Sequence, residues 1–130
     1  MSNVLVHGVD LLQVNSFARL FADKRVVFLT RYFTMAELAS VGLDSRREER
    51  LASRFAIKES VLKALSTGWG DGISYRDVEV ATSVLGAPSA VLHRKLRSLA
   101  AEMGISRWLV SASHTGGFVM ASAIGCGERT

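Results

Sequence analysis

A chain of 130 residues, 48% hydrophobic and 22% charged, can bury roughly two thirds of its unfolded surface, which suits one domain rather than two. A single proline and this apolar content set it apart from the charged, apolar-poor composition of disordered chains. With 16 Lys and Arg against 12 Asp and Glu, the net charge of +4 favours anionic partners: nucleic acid, membrane surface, phosphorylated cofactor or acidic protein.

Val4, Val6 and Gly8 alternate with Leu5, His7 and Val9, a period-two pattern that predicts a strand ending at Asp10. Asn15 or Ser16 would cap a short helix running to about Asp23, and Thr34 with Glu37 has the spacing of a capping box for a second. From Asp44 to Thr67 no proline or glycine interrupts a run of mostly good helix formers, and Gly68 follows as a stop signal, predicting the longest helix. GWGDG at 68–72 reads as a loop. Asp77 to Thr82 and Ser89 to Leu92 read as the strands of a hairpin around the Leu85 to Pro88 turn.

His93 to Met103 carries apolar Leu96, Leu99, Ala100 and Met103 at amphipathic-helix spacing and closes at Gly104. Strands from Trp108 to about Ser113 and from Phe118 to Ile124 then meet at a His114-Thr115-Gly116-Gly117 corner. With no repeat or linker, residues 1–130 read as a single α+β domain.

The opening MSNVLVHGVD lacks the basic region and the apolar run of roughly 7–15 residues that make a secretory signal. No apolar stretch approaches the ~18 residues that cross a bilayer. Cys126, the one cysteine, lies in what reads as a glycine-flanked tail and has no intramolecular disulfide partner. A soluble, cytoplasmic protein that engages no membrane is expected.

At 100° per residue, Leu51, Phe55, Leu62 and Leu65 form the core-facing stripe of the long helix. Lys58 falls inside that stripe, Arg54 flanks one edge, and Glu59 and Lys63 lie just past the other as an i,i+4 pair. On one reading, Lys58 and Arg54 lay their stems on the core and send their charges to water. On the other, the helix edge lines a cleft where a carboxylate holds a metal and cations meet phosphate oxygens. The second reading needs another carboxylate, and Asp10, at the predicted strand end, is the candidate.

HGVDLLQV at 7–14, RFAIKESVLKALSTG at 54–68, LGAPSAVL at 85–92 and VSASHTGGFVMASAI at 110–124 resemble, in order and spacing, the holo-acyl-carrier-protein synthase group of 4′-phosphopantetheinyl transferases. The resemblance implies that family's fold, an antiparallel sheet with one long helix, and a homotrimer with clefts at the subunit interfaces. It implies transfer of phosphopantetheine from coenzyme A to a serine of an apo acyl carrier protein, releasing adenosine 3′,5′-bisphosphate. Asp10 and Glu59 match the residues that bind Mg²⁺. Lys63 matches the lysine expected to contact the pyrophosphate, and Lys58 is expected to reach a phosphate too. Either Glu59 or a metal-bound water would take the serine proton. His114, Thr115, Arg54 and Arg46 match residues on the 3′-phosphate of coenzyme A, while Gly68 and the Gly86 to Pro88 turn match backbone bordering the adenine. The trimer would set His114 of one subunit near the long helix of another.

Two departures stand out. Many relatives carry an acid and an arginine where this chain has Gln13 and Ser16, which leaves Arg19, Lys24 and Arg25 as carrier-docking candidates on charge alone. A nucleic-acid module is the rival from another class, but the basic residues are dispersed and no zinc-ligand spacing or aromatic RNA-binding motif is present. An inactive, carrier-binding module of the same fold is the alternative within the class.

Overall fold

The computed structural model describes residues 3–20 and 29–128. In chain order its elements are β1 (Asn3–Gln13), α1 (Val14–Leu20), α2 (Met35–Ser40), α3 (Arg47–Ala64), a 3-10 turn (Tyr75–Asp77), β2 (Val78–Thr82), β3 (Pro88–Leu92), α4 (Arg94–Glu102), β4 (Ile105–Thr115) and β5 (Phe118–Gly127). One antiparallel sheet has the order β1-β5-β4, and β2 and β3 form a separate hairpin. The architecture is α+β, with α3 laid across the three-stranded sheet against β1 and β5.

β1 does not end at Asp10. Asp10 pairs with Ala121 in mid-ladder, and Leu11, Leu12 and Gln13 continue the pairing to Phe118, because β5 supplies partners beyond the point where the sequence alternation breaks. The closing strands are likewise longer than their patterns, and Cys126 belongs to β5, buried beside Gly127 in the sheet and not in a tail. Gly116 and Gly117, with φ of 56° and 80°, make the two-residue turn between Thr115 and Phe118. Both angles favour glycine, and His114 and Thr115 sit in the strand.

α1 begins at Val14, so neither Asn15 nor Ser16 caps it; the Ser16 hydroxyl instead donates to Gln13 Oε1 at 2.8 Å. Its expected end at Asp23 lies outside the described residues. The capping box of α2 forms: Glu37 N–H donates to Thr34 Oγ1, and Thr34 N–H to Glu37 Oε1. α3 starts at Arg47, because Asp44 is used to accept from the Arg46 N–H and the Arg50 guanidinium. It stops before Gly68. Thr67 N–H reaches back to Leu62 O and Ser66 N–H to Lys63 O, a Schellman closure that places Ser66 at φ 54°.

Alternation on β5 turns Val119, Ala121 and Ala123 under the helix, where all are fully buried. The other sheet face carries Val9, Leu11, Leu109, Phe118 and Met120, all exposed in the single chain. Two apolar clusters fill the interior, one around Phe33, Ala56 and Val119 and the other around Leu62, Val78 and Leu96, with Tyr32, Phe55 and Val110 packed against both. No helix among the described residues is long and apolar enough to cross a membrane.

Candidate functional site

β1 crosses α3 at Gly8. A Cβ there would fall onto Ser60 O and within 2.7 Å of Ala64 N, so only glycine permits this approach. The crossing delivers Asp10, two residues on, to the flank of α3, where Lys63 Nζ donates to Asp10 Oδ1 at 2.8 Å. Asp10 is buried, while the lysine is half exposed. The hydrogen bond to Asp10, aided by the charges of Asp10 and Glu59, holds the Lys63 ammonium above its usual range despite some desolvation.

Glu59, one turn before Lys63, accepts from the Tyr75 hydroxyl at 2.6 Å. Burial raises the Tyr75 phenol well above its ordinary value, followed by the bond to Glu59 and the charges of Glu59 and Asp10. Both carboxylates therefore act on the same lysine and the same tyrosine, and the residues far apart in sequence converge. Tyr75 was not among the sequence candidates. It sits in the loop and turn after α3 and belongs to no motif, so no spacing signal marks it.

Lys58 does not reach a cleft. It is fully buried, and its ammonium donates to Glu37 Oε1 at 2.9 Å, Tyr75 O at 3.0 Å and Val78 O at 2.5 Å. Desolvation lowers its pKa against the opposing pull of Glu37. All three donors of the ammonium have acceptors, which leaves none for a phosphate. Glu37 Oε2 also accepts from Val80 N–H at 2.7 Å, so the pair ties α2, α3 and β2 together. Neither sequence reading anticipated a buried, saturated lysine.

Arg54 lies across the stripe from Glu59 and lines a cleft of about 560 Å³ with Arg50, Val80, Thr82, Gly86 and Pro88. Its guanidinium donates to Arg50 O and Thr82 Oγ1, both at 3.2 Å. Nε is buried with no hydrogen-bond partner, and burial lowers its pKa. A desolvated guanidinium with an unmet donor suits an anion. Arg50 was also missed, and Asp44 and Val41 O engage it.

At the start of α3, Arg46 and His114 both meet Glu49, with Arg46 NH2 at 3.2 Å and His114 Nε2 at 3.4 Å from Oε1. His114 thus already touches the long helix of its own chain. Thr115 is exposed at the end of β4, and Gly68 lies exposed past the helix, with open space where a Cβ would sit. The candidates therefore form three groups: Asp10, Glu59 and Lys63; Arg54, Gly86 and Pro88; and Arg46 with His114. Lys24 and Arg25 lie outside the described residues, and Arg19 occupies the last turn of α1.

Two carboxylates with all-oxygen donors fit a hard divalent ion such as Mg²⁺, which takes one or two protein carboxylates and completes its shell with water and phosphate. Among the described residues no cluster of three or more His, Cys, Asp or Glu that could hold a metal ion forms.

Residues 7–122 match the family model of the 4′-phosphopantetheinyl transferase superfamily. The chain belongs to this superfamily. The holo-[acyl-carrier-protein] synthase of Geobacter sulfurreducens is 36% identical over 117 residues, covering 90% of this chain and 93% of the relative. The transferase fold superposes on the crystal structure of holo-[acyl-carrier-protein] synthase from Neisseria meningitidis with a TM-score of 0.82 and 28% identity, over 95% of this chain and 98% of that one. It also superposes on the Bacillus anthracis synthase in complex with CoA (3′,5′-ADP), with a TM-score of 0.76 and 28% identity, over 96% and 98%.

Proposed function

We propose that this chain is a holo-[acyl-carrier-protein] synthase, transferring 4′-phosphopantetheine from coenzyme A to a serine of an apo acyl carrier protein. The observation that carries this reading is the meeting of Asp10 from mid-β1 with Lys63, one turn from Glu59 on α3. In the reaction the serine oxygen bonds to the phosphorus bearing the pantetheine arm, the pyrophosphate bond breaks, and adenosine 3′,5′-bisphosphate leaves. Asp10 and Glu59 would hold Mg²⁺, which when bound polarises the pyrophosphate and offsets its charge. Lys63, half exposed, has N–H groups to spare for the charge that builds on the leaving phosphate. The serine proton passes to Glu59 or to water beside it.

Arg46, Arg54, His114 and Thr115 would bind the 3′-phosphate, with Gly68 and the Gly86 to Pro88 turn bordering the adenine. The unmet Arg54 Nε supports an anion in that cleft. Lys58 has no part in this scheme. The arginine margin and the acidic margin flank opposite edges of the α3 stripe, and a cleft shared between subunits would bring one protomer's margin to another's. The exposed apolar sheet face supports a homotrimer. A net charge of +4 supports an acidic carrier as partner, and the lone, buried Cys126 fits a reducing cytoplasm.

Incubation with coenzyme A, Mg²⁺ and apo acyl carrier protein tests the reading by intact mass. The wild type adds one phosphopantetheine to the carrier, and Asp10→Ala and Glu59→Ala add next to none. A carrier that gains no mass from the wild type leaves only the inactive carrier-binding module.

A further inference from the structure

We propose that Tyr75 is a positioning residue for Glu59: its hydroxyl fixes one carboxylate oxygen and leaves the other to ligate a divalent cation. The inference rests on the reading of Asp10 and Glu59 as the metal-binding pair. Tyr75 Oη lies 2.6 Å from Glu59 Oε1, within the short range of bonds to a charged acceptor. Among the described residues, Oε2 makes no hydrogen bond.

A glutamate on a helix surface has several rotamers, and binding an ion requires that all but one be given up. A bond from the same helix would move with the side chain. Tyr75 comes from another element, and that element is itself clamped. Its ring stacks on Phe55 at 5.0 Å and 29° and lies against Tyr32 at 5.5 Å. Its carbonyl accepts from the buried Lys58 ammonium at 3.0 Å. The 3-10 turn is closed by the Ser74 and Asp77 capping box, and Arg94 grips Asp77 with two bonds at 2.7 Å and 2.8 Å. The hydroxyl therefore sits on a rigid mount.

Packing alone does not require this hydroxyl. A phenylalanine would fill the same aromatic cluster without bringing a polar atom that needs a partner. What the oxygen adds is its bond to Glu59. Groups that hold a metal-ligating carboxylate through hydrogen bonds change metal affinity or activity by about 10–100-fold when removed.

Mn²⁺ is the probe, with affinity read by electron paramagnetic resonance for the wild type, Tyr75→Phe, Glu59→Gln and the double variant. Tyr75→Phe is expected to bind Mn²⁺ about tenfold more weakly and to need correspondingly more Mn²⁺ for half-maximal turnover, with the KM for coenzyme A and the melting temperature little changed. In the Glu59→Gln background the second change is expected to add nothing. Tyr75→Trp, which keeps a ring but moves the donor, provides the same comparison should Tyr75→Phe unfold. Wild-type Mn²⁺ affinity in a folded Tyr75→Phe, with Glu59→Gln impaired, overturns this inference alone. A wild type that binds no Mn²⁺, or a Glu59→Gln that binds it equally well, overturns the metal reading and this inference with it.

Discussion

Lys58 and Lys63 are five positions apart on one helix, yet only the second reaches solvent. Lys58 sits within the apolar stripe, and its charge survives there because Glu37 and two carbonyls surround the ammonium. Removing one partner of such a pair strands the other charge. Lys58→Met is expected to destabilise the fold by about 3–5 kcal/mol, measured by urea denaturation, with the KM for coenzyme A unchanged in whatever protein stays folded. A raised KM at unchanged stability would return Lys58 to the phosphate. His114, half exposed beside Glu49, is a different case. His114→Ala is expected to raise the KM for coenzyme A several-fold and to affect 3′-dephospho-coenzyme A less, as steady-state kinetics with both substrates would show. Equal losses would remove the histidine from the 3′-phosphate.

At the scale of elements, the crossing of β1 over α3 decides whether Asp10 and Glu59 share a site. Gly8→Ala drives a methyl group into Ser60 O, and backbone cannot yield as a side-chain end does. A cost of about 3 kcal/mol is expected, at the upper end of ordinary overpacking, and turnover is expected to fall further than the loss of folded protein accounts for. Wild-type stability by denaturant titration would mean that the crossing is looser.

The hairpin is fastened differently. Glu79 on β2 accepts from the Thr34 hydroxyl at 2.8 Å and lies 3.0 Å from His93 Nε2. The first of these bonds, then the second, holds its carboxyl below the ordinary value of 4.5. A carboxyl with a depressed folded pKa adds stability above its unfolded value and loses it as pH falls through the folded one. The melting temperature of Glu79→Gln is therefore expected to fall less than that of the wild type between about pH 5 and about pH 3. Parallel curves for the two proteins would show that Glu79 carries none of the acid sensitivity.

For the whole molecule, the outer sheet face is the feature that one chain leaves unused. Leu11 is 65% and its ladder partner Met120 48% exposed, too much contiguous apolar surface for water alone to face comfortably. If the sheet face builds the proposed trimer, Leu11→Glu shifts the protein to monomer in analytical ultracentrifugation and lowers turnover with it. A monomeric wild type would remove the shared cleft.

Local patterns were legible wherever neighbours along the chain decide the outcome: the Thr34 and Glu37 capping box, the hairpin, the span of α4 and the glycine turn before Phe118. They failed where a distant partner decides. β1 outruns its alternation because β5 pairs with it, and Lys58 turns inward because Glu37 waits there. By itself the sequence determined the α+β class and the long helix, and it singled out Asp10, Glu59 and Lys63 as candidates. Only the tertiary structure decided that Asp10 meets Lys63, that Tyr75 holds Glu59 and that Arg54 lines a cleft with Thr82 and Gly86. Short-range periodicity records which face of an element is apolar, whereas which faces meet depends on backbone approaches, such as Gly8 on Ser60, that no local spacing encodes.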